Sequence, residues 1–165
     1  MYGSASEELE VKVPSSEAWK VYGTLKLADI IATIPGMVSK IDAHGDGGVG
    51  TILHIFLHPG AGQVEGLSYK EKYIVVDNEK RVKVAEVVEG GYLDMGFISY
   101  RVVLEVIDKD NESCITRTTI EYEVKDEAAA AASFVSARPL LAVMHIVAGH
   151  LILNYNNNGT TTTTS

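Results

Sequence analysis

The N-terminal part of the chain changes from an alternating pattern to a helical one. Residues 8–13, ELEVKV, alternate polar and apolar positions as a half-buried strand does, and Pro14 ends that strand because proline cannot donate to a ladder. Ser15 or Ser16 is a suitable N-cap for a following helix with apolar residues at three- and four-residue spacing. A second short helix is predicted over residues 27–34. The predicted order is therefore strand, helix, helix.

The middle of the chain has a different pattern. From residue 37 to residue 124, short runs of β-branched and aromatic residues are separated by turn residues, which predicts an antiparallel meander. We expect six strands here, at 37–44, 50–58, 67–76, 81–89, 95–107 and 113–124.

The C-terminal part is predicted to be one long helix over residues 127–153, since apolar residues recur there at three- and four-residue spacing. Pro139 should bend or break this helix, because its ring removes a hydrogen bond and clashes with the preceding turn. Residues 154–165 form a polar, low-complexity tail with nothing to bury, so we expect this tail to be disordered and residues 1–153 to form a single domain.

Together these elements predict an α+β fold. One curved antiparallel sheet of seven strands must cover its apolar face, and the long C-terminal helix is the obvious cover. A sheet wrapped around one helix commonly leaves a hollow, and the glycines in the strands permit the strong bending that this requires.

Composition and charge narrow the classes of function. The formal net charge of −8 and the pI near 5.1 argue against nucleic acid as a partner, because phosphates need a basic surface. No apolar run reaches transmembrane length, so no membrane partner is expected. The N-terminus is acidic where a signal peptide would be basic and then apolar, so the cytoplasm is the expected location.

Neither a metal nor a cofactor is expected. Cys114 is the single cysteine, which excludes an internal disulfide and multi-cysteine zinc sites. His54 and His58 share a strand face, but we find no third metal ligand for them. The glycine-rich loop 45–51, GDGGVGT, lacks the Gly-Lys-Ser/Thr of a phosphate loop and precedes a strand, so a tight turn is the better interpretation.

The stretch YKEKY, residues 69–73, carries the candidate chemistry. Alternation in a strand sends both lysines to one face and sends Glu71 to the other face, together with Tyr69, Tyr73 and Val75. Lys83 on the next strand joins Glu71 on the inner face if the intervening loop has an odd number of residues, and it faces water if that number is even. Periodicity leaves open an inward Glu/Lys pair or a solvated sheet surface.

Several segments carry a resemblance to a known family: GDGGVGT (45–51), YKEKY (69–73), VDNEKRVK (76–83), EGGYLDMG (89–96) and IEYEVKDE (120–127). They resemble plant norcoclaurine synthases of the pathogenesis-related class-ten and major birch pollen allergen superfamily. The segments SYRVVLEV (99–106) and AAAAASFV (128–135) are similar to the related norbelladine synthases. The resemblance runs from about Leu9 to Leu153 and implies the helix-grip fold, in which the sheet encloses a cavity beside the long helix.

The resemblance also implies an activity and a site. The family condenses an aromatic ethylamine, tyramine or dopamine, with an aromatic aldehyde. The product is an imine or a cyclised Pictet-Spengler tetrahydroisoquinoline. Its catalytic tyrosine, glutamate and lysine fall on Tyr69, Glu71 and Lys83, which favours the inward phase of Lys83. Val102 replaces an aspartate of the norcoclaurine enzymes, which makes the pocket more apolar.

Further expectations concern substrate contacts and partners. By alternation, Ile98 and Tyr100 share one face with Val102, and the expected substrate-binding side chains are Tyr73, Ile98, Tyr100, Val102 and Leu140. We expect a monomer or weak homodimer that hands its product to a downstream reductase.

Two alternatives remain open. The first is a non-catalytic carrier of a hydrophobic plant metabolite or hormone, and the second is an allergen-like defence protein without chemistry. A carrier has no evident need for a buried Glu/Lys pair, whose desolvation is costly, so the sequence favours the enzyme.

Overall fold

The computed structural model describes residues 1–58 and 67–162. In this part of the chain, two short helices follow the first strand, six further strands come next, and a long helix ends the fold. The strands are β1 Tyr2–Val11, β2 Val38–His44, β3 Ile52–Leu57, β4 Ser68–Asp77, β5 Val82–Gly90, β6 Phe97–Asp110 and β7 Ser113–Val124. The helices are α1 Ser15–Tyr22, α2 Lys26–Ala32 and α3 Arg138–Thr162, with 3-10 helices at Gly91–Met95 and Asp126–Phe134.

All seven strands form one antiparallel sheet in the order β1-β7-β6-β5-β4-β3-β2. Strands β2 to β7 are a meander, and β1 pairs with β7 at the far edge. Helices α1 and α2 connect the two edge strands, β1 and β2. The predicted α+β class, with a seven-stranded curved sheet, two short helices and a C-terminal helix, is confirmed.

Helix α3 packs its apolar face onto α1 and the sheet. Met144, Val147 and Leu151 are at most 4% exposed. Val147 and Leu151 belong to the same core cluster as Trp19 of α1. The Trp19 indole N–H donates to the Asn78 side chain over 2.9 Å, which ties α1 to the turn between β4 and β5. This packing fixes α1 against the inner face of the sheet.

The sequence predicts one helix over residues 127–153 that Pro139 bends or breaks, and the structure does show a break there, with a bend of 49°. A 3-10 helix, Asp126–Phe134, comes first, Val135 is extended, and α3 begins only at Arg138. Pro139 lies in the first turn of α3, where its missing N–H breaks no helical hydrogen bond. Among the described residues, no single helix is long and apolar enough to cross a membrane. The segments Asp126–Ser133 and Arg138–Asn158 together have the length and the apolar composition of a membrane span, but they are bent by 49° at the break between them.

The polar tail is partly helical. The sequence predicts disorder from residue 154, but α3 continues to Thr162. Tyr155 is half-buried and packs against the core beneath α3, so the helix is anchored beyond its apolar part. Each further residue then adds a hydrogen bond to a helix that is already nucleated. Residues 163–165 of the predicted tail lie outside the described residues.

Strand β1 begins at Tyr2, six residues before the predicted start. Residues 2–7 lack a clear apolar alternation, but their backbone pairs with β7 in continuous register from Tyr2↔Glu123 to Glu7↔Thr118. The strand therefore forms because ladder hydrogen bonds are available along β7. Only Ala5 of this extension packs against the core.

Candidate active site

The inward face of β4 carries a carboxylate between apolar neighbours. Glu71 lies opposite Leu53 of β3 and Val87 of β5, which are 3% and 5% exposed. Lys70 points to the outer face, where it forms an ion pair with Glu89 over 3.0 Å. Alternation thus separates the lysines from Glu71 as the sequence predicts. The carboxylate faces the interior.

The alternation on β4 ends after Tyr73. The register with β5 shifts between Tyr73 and Val75, Val75 is 39% exposed, and Val76 packs against the core in its place. The prediction that Val75 faces inward is therefore wrong. A bulge adds one residue to a strand and reverses the faces beyond it, which periodicity does not reveal.

Lys83 faces inward and is completely buried, with 0% of its surface exposed. Its ammonium lies 4.3 Å from the centre of the Tyr73 ring and donates to the Thr24 carbonyl oxygen over 3.3 Å. The inward phase that the resemblance favours is confirmed.

Glu71 and Lys83 are nevertheless not in contact. Along the β4–β5 ladder, Glu71 pairs with Val87 and Tyr73 pairs with Ala85, so Tyr73 occupies the position between Glu71 and Lys83. Within residues 1–58 and 67–162, no ion pair shorter than 4.0 Å joins the two charges. The directly opposed pair that the sequence suggests is therefore absent from this structure. The two groups act on one another only through their charges.

Burial shifts the pKa values of both Glu71 and Lys83 towards neutral pH. It raises the pKa of Glu71 to about 7, because the charged carboxylate loses its water, and the positive charge of Lys83 opposes part of that rise. Burial lowers the pKa of Lys83 to about 8, and the Glu71 charge opposes part of that fall. The site therefore holds an acid and a base that both exchange protons near neutral pH.

A cluster of tyrosines adjoins Glu71. The Tyr92 ring stacks on the Tyr100 ring with centroids 4.0 Å apart and an interplanar angle of 5°. Burial, and next the nearby Glu71 charge, raise the pKa of Tyr69, while burial and Tyr92 raise the pKa of Tyr100. Tyr69 and Tyr100 therefore keep their phenolic protons at neutral pH and can donate hydrogen bonds.

Sequence reasoning missed Tyr92 as a site residue. It lies on the 3-10 helix Gly91–Met95, in the connection between the strands predicted at 81–89 and 95–107. The glycines on either side gave a signal: Gly90, Gly91 and Gly96 have φ of 74°, 56° and 95°, which disfavour other residues. A run of glycines that encloses a tyrosine indicates a tightly folded segment with a fixed aromatic ring.

One predicted substrate contact lies on the wrong face. The register with β7 shifts between Phe97 and Ser99, so Phe97 is 3% exposed and Ile98 is 52% exposed. Ile98 therefore does not share a face with Tyr100, and this prediction is wrong for the same reason as that for Val75. Val102 and Leu140 do pack in one cluster with Tyr100.

Five side chains of the site keep some accessible surface. They are Tyr69, Glu71, Tyr92, Val102 and Leu140. We call the inner surface that these side chains leave accessible the hollow. Two outer grooves of about 450 and 360 Å³ lie elsewhere, beside the Tyr2 and Pro14 segments, and the residues lining them include none of these five.

The position of Tyr69 depends on Gly90, its partner on β5. A Cβ at Gly90 would lie 2.7 Å from the Ser68 carbonyl oxygen, and its φ of 74° already disfavours other residues. We expect Gly90→Ala to lower the free energy of unfolding by about 1–3 kcal/mol, measured by urea denaturation. Gly149→Ala is the control, because no neighbouring atom lies within 4 Å of its added Cβ in α3. It should stabilise the protein by about 0.5–1 kcal/mol. Equal stability of the two variants would contradict this account of Gly90.

Comparisons with known proteins agree with this architecture. Residues 1–152 match the model of the Pathogenesis-related protein Bet v 1 family. Norbelladine synthase of Narcissus pseudonarcissus is 43% identical over 160 residues, covering 95% of this chain and 96% of that protein. S-norcoclaurine synthase 2 of Papaver somniferum is 36% identical over 149 residues, covering 88% of this chain but 63% of that protein. An S-norcoclaurine synthase of Thalictrum flavum subsp. glaucum is 42% identical over 121 residues, covering 73% of this chain and 56% of that protein.

Solved structures of norcoclaurine synthases have the same fold as this chain. A norcoclaurine synthase point mutant from Thalictrum flavum, in complex with a transition-state analogue, superposes with a TM-score of 0.85 at 32% identity, covering 94% of this chain and 97% of that one. The structure of that plant's norcoclaurine synthase with dopamine and hydroxybenzaldehyde has a TM-score of 0.80 at 35% identity, covering 93% and 88%.

Proposed function

The chain belongs to the pathogenesis-related Bet v 1 family, and from that premise we propose that it joins an aromatic ethylamine, tyramine or dopamine, to an aromatic aldehyde. The observation that carries the proposal is the inward Glu71, whose pKa burial raises to about 7 beside protonated tyrosines. The relatives named norbelladine synthase and norcoclaurine synthase support the same chemistry, and one solved relative holds an amine together with an aldehyde.

In the first step, Glu71 takes a proton from the ammonium form of the amine. The free amine nitrogen attacks the aldehyde carbon, and a proton passes from that nitrogen to the oxygen to give a carbinolamine. Glu71 then returns its proton to the hydroxyl, which leaves as water while the nitrogen lone pair closes the C=N bond. The resulting iminium releases its N–H proton to give the imine. A group that exchanges protons near the working pH suits both halves of this step. Tyr69, which keeps its phenolic proton, donates a hydrogen bond to the aldehyde oxygen as negative charge develops there.

Lys83 has a different role from the one that the resemblance first suggests. Its side chain exposes no surface, so in this structure it does not reach a carbonyl oxygen in the hollow. It acts through its positive charge, which makes the ionised form of Glu71 less unfavourable. A Schiff base on Lys83 is disfavoured for the same reason, because its amine is not accessible to an aldehyde.

The product that we expect is the uncyclised imine. Glu71 is again a carboxylate after dehydration and can accept the ring proton, but ring closure also needs an acceptor that holds and activates the aromatic ring of the amine. The inward positions of β6 near Glu71 offer Tyr100 and Val102 but no second carboxylate. Water hydrolyses a free imine, so the consuming partner is a reductase that adds hydride to the C=N bond.

Val102→Asp tests this assignment of product. The new carboxylate should raise the share of the cyclised tetrahydroisoquinoline several-fold relative to the imine, because it supplies a second proton acceptor on the inner face. The ratio is measured by chiral liquid chromatography with mass detection, after the imine has been trapped with borohydride. Val102→Asn is the control, since it has a similar shape and no charge. An unchanged ratio in Val102→Asp would show that Val102 does not decide the product.

The activity itself is tested with tyramine or dopamine plus 3,4-dihydroxybenzaldehyde or 4-hydroxyphenylacetaldehyde. Product formation is expected to exceed the uncatalysed background for at least one pair. If every pair gives only background while the same compounds bind, the protein is a carrier and the proposal is wrong.

A further inference from the structure

Tyr73 and Lys83 share a sealed region of the interior. They are 2% and 0% exposed, in contrast to the partly accessible Glu71 and Tyr69 on the same face. The face of the Tyr73 ring meets the ammonium at 4.3 Å, a separation at which a ring attracts a cation. Tyr73 therefore contacts Lys83. The sequence predicts Tyr73 as a substrate contact, but its 2% exposure leaves almost no surface for a substrate in the hollow.

The second contact of the ammonium comes from the end of α1. Gly23 ends this helix and donates its N–H to the Trp19 carbonyl, and Thr24 donates its N–H to the Val21 carbonyl. The Thr24 hydroxyl donates to the Lys20 carbonyl over 2.8 Å. These bonds fix the Thr24 backbone, and the negative end of the helix dipole favours a cation there. The Thr24 carbonyl is thus a rigid acceptor for Lys83.

We propose that Tyr73 is a positioning residue: its ring and the Thr24 carbonyl hold the Lys83 ammonium away from Glu71, so that Glu71 can both accept and return a proton. The inference rests on the proposed function, since only a proton-transferring Glu71 benefits from this placement.

The separation matters because contact would change the acid. A carboxylate that touches an ammonium group has its pKa lowered by about 1–3 units, so it stays ionised at neutral pH and cannot protonate a leaving hydroxyl. With the ammonium held on Tyr73, the effect of burial exceeds the effect of the charge, and the pKa of Glu71 stays above its ordinary value. Tyr73 thus limits how strongly Lys83 can stabilise the ionised carboxylate.

Few charged or titratable groups face Glu71. They are Lys83 of β5, Tyr69 and Tyr73 of β4 itself, and Tyr100 of β6, with Tyr92 of the 3-10 helix behind them. The residues opposite Glu71 on β3 and β5, Leu53 and Val87, are apolar. The inward residues of α3, namely Leu140, Met144 and Val147, carry no charge. Lys83 is therefore the one described cation whose placement can decide the titration of Glu71.

The test compares Tyr73→Leu with Tyr73→Phe in the full chain without substrate. The titration midpoint of the ¹³C-labelled Glu71 carboxyl is followed by NMR, and its signal is assigned from its loss in Glu71→Gln. Tyr73→Phe keeps the ring face, so its midpoint should stay close to that of the parent. Tyr73→Leu frees the ammonium to approach Glu71, so the midpoint should fall by about one pH unit or more. An unchanged midpoint in Tyr73→Leu overturns the inference.

A second pair of variants separates the effect of the cation from that of burial. In a Lys83→Met background, Tyr73→Leu should cause no further fall in the Glu71 midpoint, because no ammonium remains to move. An equal fall with and without the lysine overturns the inference. If Tyr73→Leu does not fold, the test uses the NMR spectrum of the unmodified chain. The Lys83 ε-methylene protons should show an upfield ring-current shift there, and Tyr73→Phe should preserve it. Absence of that shift also overturns it.

These titrations are independent of the proposed activity. Absence of condensation would overturn the proposed function, while the titrations would still decide the role of Tyr73. An unchanged midpoint would overturn the role of Tyr73 and leave the condensation reaction standing.

Discussion

Replacing Glu71 with glutamine is expected to lower kcat/KM for the condensation by about two to four orders of magnitude. Glutamine keeps the size and the hydrogen-bonding shape of the side chain but cannot take a proton from the ammonium substrate or return one to the leaving hydroxyl. The rate is measured as borohydride-trapped product at substrate concentrations well below KM. Glu71→Gln should fold normally, because it removes a buried ionisable group without leaving a cavity.

Glu121→Gln is the matched control. Glu121 is exposed on β7, outside the residues that line the hollow, so its replacement should leave kcat/KM unchanged. A Glu71→Gln variant that retains activity within a few-fold of the parent would show that Glu71 is not the proton-transfer group. The account of the mechanism would then fail even if the protein condenses amines with aldehydes.

The free energy of unfolding is expected to be lowest between about pH 7 and 8, because both buried groups are charged in that interval. The folded pKa of Glu71, about 7, exceeds its ordinary value of 4.5, so the folded chain binds more protons between these values and stability falls as pH rises. The folded pKa of Lys83, about 8, lies below its ordinary value of 10.5, so the unfolded chain binds more protons there and stability rises with pH. We call the fall between pH 4.5 and 7 and the rise between pH 8 and 10.5 the two limbs of the stability curve. Each limb changes the free energy of unfolding by up to about 3 kcal/mol.

Urea denaturation at a series of pH values measures both limbs, and two variants assign them. Lys83→Met should remove the rise between pH 8 and 10.5, and Glu71→Gln should remove the fall between pH 4.5 and 7. Lys72→Met is the control for the lysine, since Lys72 is exposed on the outer face of β4 and should leave both limbs in place. If Lys83→Met and Lys72→Met give the same pH dependence, Lys83 does not carry a buried charge.

Most of the fold could be predicted from the sequence because it depends on patterns that are regular over many residues. Alternation and turn residues gave the six strands of the meander, and the alternation in YKEKY placed Glu71 on the face opposite Lys70. The inward phase of Lys83 did not follow from periodicity. It came from the resemblance, because the parity of the β4–β5 connection is open in the sequence.

The errors come from single residues that interrupt a pattern. The register shifts after Tyr73 and after Phe97 leave no mark in the sequence, and they turned Val75 and Ile98 outward. The first of these shifts also places Lys83 beside Tyr73, away from Glu71. Helix α3 begins later and ends later than predicted, since Pro139 is accepted in a first turn and a packed helix extends readily into polar residues.

A ¹³C NMR titration of the Glu71 carboxyl in the unmodified chain tests the central claim most directly. The account predicts a midpoint near pH 7, as burial among apolar and aromatic side chains requires. A midpoint near 4.5, the ordinary value for glutamate, would show a solvated or salt-bridged carboxylate and would contradict the account.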